Sequence, residues 1–99
     1  MSEFPFDPAG FEKALSLIKS LDNRNRLLIL CLLCHREANV SEMAEASELS
    51  MSAVSQHLSV LKNAGLVTSQ KKSQTVTYRL ASDEVYRMIE LLKDMYCQI

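Results

Sequence analysis

The sequence predicts a mainly helical α+β domain: four helices, a two-stranded hairpin and a closing helix. Three observations predict it. Apolar residues recur three and four apart along most of the chain. Between Leu66 and Leu80 that period shortens to two, in segments rich in Val, Thr and Tyr. A Ser or Asp that can cap a helix stands before each helical stretch.

Asp7 or Pro8 opens a helix running to about Leu21, with Phe11, Ala14, Leu15, Ile18 and Leu21 on one face. Asp22 reads as the N-cap of a second helix. That helix carries "LLILCLLCHR", Leu27 to Arg36. An apolar run of this length suits a buried strand or a helix; the dominance of Leu over β-branched residues, and the preceding cap, select a helix. It ends near His35, where His35 and Arg36 complement the negative helix terminus.

Ser41 reads as the cap of a short third helix, with Met43 and Ala46 facing inward and Ala44 at the edge of that face. Ser50 caps a fourth helix whose inward positions are Val54, Leu58 and Leu61, and Gly65 stands at its C′ position. "LVTSQKK" and "QTVTYRL" then alternate around a polar turn near Ser73, which is a β-hairpin. Ser82 caps the last helix, with Val85, Met88, Ile89, Leu92, Met95 and Tyr96 apolar. Two short helices joined by a tight turn at Leu49–Ser50–Met51, followed by a two-stranded ribbon, make a winged helix-turn-helix.

The 99 residues are expected to form a single domain, 1–99. A core in a chain this short is thin, so dimerisation would strengthen it. The longest apolar run has eight residues, Leu27 to Cys34, well below the roughly 18–20 of a membrane span. "MSEFPFDPAG" lacks the basic and apolar regions of a signal peptide. The expectation is a cytoplasmic protein with no membrane partner, its three cysteines held as thiols. No nucleophile–base pairing, Gly-rich phosphate loop or carboxylate pair is visible, so no enzyme is expected.

The formal charge of −1 conceals a strong asymmetry. From Leu49 to Ser82 there is no Asp or Glu, and Lys62, Lys71, Lys72 and Arg79 give that segment +4, leaving −5 for the rest. A polar, acid-free segment suits a phosphate-facing surface. Within the fourth helix the side opposite Val54, Leu58 and Leu61 carries Ser52, Ser55, Gln56, Ser59, Lys62 and Asn63. Gln can pair with adenine N6 and N7, Ser reaches bases or phosphates, and Lys meets phosphate. Ser52, Ser55, Gln56, Ser59 and Lys62 are expected to read double-stranded DNA. His57 borders the buried stripe and stands between a backbone contact and packing. Lys71, Lys72 and Gln74 at the hairpin tip suit a flanking groove or phosphate run. The alternatives are a plain solvated face, or a winged-helix module that binds protein or RNA.

"CLLCH", inside the second helix, fits the C-x-x-C-H pattern of covalent haem attachment, but it lies in the most apolar segment of a chain that looks cytosolic. A zinc knuckle would need a second ligand pair, and none is suitably spaced. A disulfide between Cys31 and Cys34 is poorly placed: residues three apart on a helix hold Cβ atoms about 5–6 Å apart, and a disulfide wants roughly 3.5–4.5 Å. No cofactor is expected. Core packing of Cys31 and Cys34, with Cys97 incidental, remains the plain reading.

The core "S-A-V-S-Q-H-L-x-x-L-x-x-A-G-L-V" within "LSMSAVSQHLSVLKNAGLV" resembles the signature of the ArsR/SmtB family of bacterial repressors, and the likeness runs from about Leu15 to Tyr96. The resemblance implies a homodimer built from the first and last helices, each protomer placing Ser52 to Ala64 in one half of an inverted-repeat operator. The faces Phe11/Leu15/Ile18 and Val85/Ile89/Leu92 fit such an interface. Metal-sensing members use a C-x-C motif in the third helix, where this chain reads "SEMAEAS", or Asp/His and His/Glu pairs in the last helix, where no His follows Asp83 and Glu84. Those two acids suit the positive end of that helix.

"ILC" in the second helix and "YC" at the end of the last resemble the dithiol branch of the family, the BigR, SqrR, YgaV and HlyU group. That likeness implies that Cys31 and Cys97 sense persulfides or oxidants by closing a disulfide or short polysulfide bridge, and that Cys34 has no counterpart. It implies a repressor released from DNA by reactive sulfur or oxidant species. The alternatives within the family are a regulator of virulence or biofilm genes with no thiol switch, acting as constitutive repressor or anti-repressor, and a metal-responsive repressor.

Overall fold

The computed structural model describes Glu3 and residues 5–97. In chain order the elements are α1 (Pro8–Leu21), α2 (Arg24–His35), β1 (Ala38–Asn39), α3 (Val40–Ser47), α4 (Met51–Asn63), β2 (Val67–Lys72), β3 (Thr75–Leu80) and α5 (Asp83–Tyr96). The helices and hairpin lie where the apolar periodicity predicts them. The fold is a winged helix-turn-helix: α3 and α4 are the helix pair and β2–β3 the wing.

Three details differ from the sequence reading. Asp22 ends α1, and Asn23 caps α2, its side chain accepting from the Asn25 and Arg26 N–H groups at 3.0 and 3.1 Å. The Arg26 side chain also turns back to donate to the Ser20 carbonyl at 2.9 Å, which fixes the corner between the two helices one residue later. The cap of α3 is Asn39, not Ser41. Asn39 and Glu42 form a reciprocal capping box, both bonds 2.8 Å, so the helix starts two residues earlier. Ala44 packs against the core, and Ala46, expected to face inward, is exposed. Third, the sheet has three strands in the order β1-β3-β2, all antiparallel. The two-residue strand β1 pairs Ala38 with Tyr78 and Asn39 with Thr77, and is too short to show an alternating pattern.

α2 is the hub, packed on α1, α3, α4, α5 and β3. Ile29 and Leu30 are fully buried, and Leu33 joins Met43, Val54, Leu58, Leu61, Leu66, Val67, Val85 and Ile89 in one core. α1 buries no residue completely; Leu17 and Leu21 rest against that core while Phe11 and Ile18 stay exposed. On α5, Val85 and Ile89 are spent inside the protomer. The face drawn for a dimer from Val85, Ile89 and Leu92 is thereby corrected: the apolar residues α5 leaves exposed are Tyr86, Leu91, Met95 and Tyr96.

Candidate functional site

The turn of the helix pair is set by Glu48, in the left-handed region at φ 63°, and by Ser50, whose hydroxyl accepts from the Ala53 N–H at 3.0 Å. These stop α3 and start α4 three residues later. α4 buries Val54, Leu58 and Leu61 and so turns its opposite side outward. Ser52, Ser55, Gln56, Ser59 and Lys62 are all exposed there, and His57 is half-buried. Met51 and Val60, which the polar pattern gave no reason to single out, are also exposed, at 55% and 45%. An apolar side chain on a groove-facing helix can meet the methyl group of thymine.

α4 ends in a Schellman motif. The Leu66 N–H reaches the Leu61 carbonyl at 2.9 Å and the Gly65 N–H reaches Lys62 at 3.0 Å, with Gly65 at φ 80°. This reversal drops the chain into β2, beside the helix it has just left. Lys62 Nζ donates to Ser69 Oγ at 2.7 Å, joining helix to wing. The wing pairs Val67–Lys72 with Thr75–Leu80 and turns at Ser73, whose φ of 57° suits the positive φ that primed two-residue hairpin turns require. Lys71, Lys72 and Gln74 are exposed around that turn. The acid-free segment thus folds into one helix side and one hairpin, joined through Lys62 and Ser69.

The second feature is a cleft of about 760 Å³ between α2 and α5. Cys31, Cys34 and Cys97 all line it, together with Leu27, His35, Tyr86, Ile89, Glu90, Leu92, Lys93 and Tyr96. The three cysteines are free thiols. Cys31 is exposed on the side of α2 away from Leu33, so it is not a core residue. The walls of the cleft shield its sulfur partly from water, which pushes its pKa up, and the proximity of Cys97 adds to that. Cys97 follows the last turn of α5, its N–H bonded to the Lys93 carbonyl at 2.7 Å, and is exposed. Cys34 is half-buried and donates from Sγ to Glu90 Oε2 at 3.5 Å; its pKa is pushed up to about 11, first by burial and then by the Glu90 bond and charge. Glu90 was not legible as a site residue, because it contacts α2 from 56 positions further along the chain.

At the other end of α5, the Glu84 carboxyl is held below the usual carboxylate range by hydrogen bonds from the backbone and from Ser82. It serves the helix terminus. Among the described residues no group of three or more His, Cys, Asp or Glu is placed to hold a metal ion, and no helix is long and apolar enough to cross a membrane.

A family model described as "Bacterial regulatory protein, arsR family" matches residues 23–69, from the cap of α2 to the start of the wing. The transcriptional activator HlyU of Vibrio cholerae is 51% identical over 86 residues, covering 87% of this chain and 80% of that protein. The chain belongs to the ArsR family. The solved structure of HlyU from Vibrio cholerae N16961 superposes with a TM-score of 0.88 at 48% identity, over 93% of this chain and all of that one. The regulator YgaV of Escherichia coli K12 is 36% identical over 98 residues, 98% of this chain and 99% of that protein. A homodimeric winged helix-turn-helix DNA-binding domain, Mb0332 of Mycobacterium bovis, gives a TM-score of 0.81 at 29% identity, over 96% of this chain and 89% of that one. This ArsR-family chain is a DNA-binding transcriptional regulator, and its relatives are regulators rather than enzymes.

Proposed function

We propose that this regulator is a homodimeric repressor that leaves its operator when reactive sulfur or an oxidant bridges Cys31 to Cys97. The observation that carries the reading is the cleft: both thiols, 66 positions apart in sequence, line one space between α2 and α5. Ser52, Ser55, Gln56, Ser59 and Lys62 of α4 would enter the major groove, with Lys71, Lys72 and Gln74 of the wing on flanking DNA and His57 at the margin. Met51 and Val60 add apolar contacts. Repression follows from occupancy, since a protein on a promoter excludes others from it.

The dimer reading rests on apolar surface that one protomer leaves uncovered: Ile18 on α1, Leu91, Met95 and Tyr96 on α5, the last 79% exposed. The homodimeric relative with the same fold supports it. With α5 at the interface, a bridge that ties its end to α2 changes the spacing of two recognition helices.

The chemistry balances with a persulfide as oxidant. One thiolate attacks the sulfane sulfur of R–S–SH; the S–S bond breaks, R–S⁻ leaves, and a protein persulfide forms. The second thiolate attacks the protein-bound sulfur of that persulfide, forming the disulfide and expelling HS⁻. Two thiols lose two electrons, and the sulfane sulfur gains them as sulfide.

The test is peptide mapping of the persulfide-treated protein without reductant. The expected product is a peptide joining Cys31 to Cys97, with or without added sulfur. Three free thiols after treatment would remove the switch and leave a regulator without one.

A further inference from the structure

Cys34 is the thiol that this switch leaves unused. It lies one helical turn from Cys31 and lines the same cleft as Cys97. A third thiol there is a competitor: it can take up the sulfane sulfur itself, or close a bridge with Cys97 in place of Cys31. A sensor with three cysteines in one cleft needs something to choose between them.

The surroundings of the three differ in two respects: Cys34 is half-buried where Cys31 and Cys97 are exposed, and among the described residues it alone faces a carboxylate partner. Cys34 Sγ donates to Glu90 Oε2 at 3.5 Å, from α2 across to α5. An ionised carboxylate only accepts, so this bond requires the thiol form of Cys34. Losing that proton would break the bond and set a thiolate against a carboxylate. Among the described residues, neither Cys31 nor Cys97 has a side-chain hydrogen bond of this kind. Lys93 meets the same Glu90 oxygen at 3.8 Å and offsets part of its charge, but Lys93 is 63% exposed and screened by water. The other groups around the cleft are His35, Tyr86 and Tyr96.

We propose that Glu90 determines which thiols react: by holding the Cys34 S–H as a hydrogen-bond donor it withholds Cys34 from sulfur exchange, leaving Cys31 and Cys97 as the pair that is bridged. The proposal rests on the thiol-switch reading of the same cleft. The Cys34 pKa, pushed up to about 11 first by burial and then by the Glu90 bond and charge, agrees with the geometry, because the thiolate is the nucleophile. Without Glu90 the same two exchanges run with Cys34 in place of Cys31.

The test is competitive alkylation of the reduced full-length protein by iodoacetamide between pH 7 and 11, read peptide by peptide in mass spectrometry. In the wild type, Cys34 is expected to react slowest, its rate still climbing at pH 10. In Glu90→Gln, Cys34 should react about three- to tenfold faster at pH 8, because more of it is thiolate although each thiolate is a somewhat weaker nucleophile. Cys31 and Cys97 should keep their rates. After persulfide treatment, this variant should also give peptides joining Cys34 to Cys97. Equal Cys34 rates in the two proteins would overturn the proposal. If the variant unfolds, all three thiols accelerate together, and the wild-type order decides: Cys34 reacting as fast as Cys97 overturns the proposal as well. Alkylation uses no persulfide, so its outcome is separate from that of the switch, whose failure shows as unchanged DNA affinity after persulfide treatment.

Discussion

Gln56 lies two residues from both Val54 and Leu58, which on a helix puts it opposite the buried stripe. Its amide has one acceptor and two donor hydrogens, the set that adenine N6 and N7 require. Gln56→Ala is therefore expected to weaken specific binding by about 1–3 kcal/mol and to relax preference at one base pair. Fluorescence anisotropy on DNA enriched by the reduced protein from a random pool measures this; unchanged affinity would remove Gln56 from the base-reading set. Cys34→Ser is expected to leave the persulfide response in place, since Glu90 already withholds that thiol. Loss of response in that variant would transfer the sensing role from Cys31 to Cys34. At this scale the sequence was informative about residue type: the short hydroxyls, Gln and Lys of α4 are exposed as read, with His57 half-buried at the margin. It was silent about Glu90, whose partner is brought to it by the packing of α5 on α2.

The elements were legible where local chemistry dominates and misread where two candidates compete. Ser50, Gly65 and Ser82 act as the sequence suggested. Asp22 and Asn23 are adjacent polar residues able to cap the same helix, and Asn23 takes the cap at the corner that Arg26 and Ser20 hold. β1 exists because β3 offers it an edge, so no local signal marks it. The Gly65 reversal gives a prediction at this scale. A Cβ added there meets nothing within 4 Å, so Gly65→Ala costs only its backbone conformation at φ 80°, about 1–2 kcal/mol. Urea unfolding measures it. A neutral result would mean that the wing is not anchored through this motif.

The whole molecule is long for its size: its radius of gyration is 14.7 Å and its extents are 51 × 32 × 20 Å, against about 13 Å for a compact domain of 100 residues. The length goes with a first helix that buries nothing completely and a last helix whose far half is mostly exposed, as the proposed dimer would require. The sequence showed that both helices are amphipathic. It did not show that Val85 and Ile89 fill the protomer core, because periodicity gives a face and not its partner. A dimer using Lys62, Lys71 and Lys72 twice each makes about six phosphate contacts, so log K should fall with log salt at a slope near −5. Binding titrations at several salt concentrations check this, and a flat response would take those lysines off the phosphates.

Regulation by this protein turns on whether the α2–α5 cleft controls DNA binding. The direct measurement is DNA affinity of one protein sample before and after a persulfide donor, with the Cys31–Cys97 peptide quantified in that same sample. Affinity is expected to fall in proportion to the bridged fraction, by about 5–150-fold at completion, the range of ordinary allosteric coupling. Reductant should restore it. Full bridging with unchanged affinity would contradict the account, and so would lost affinity with all three thiols free.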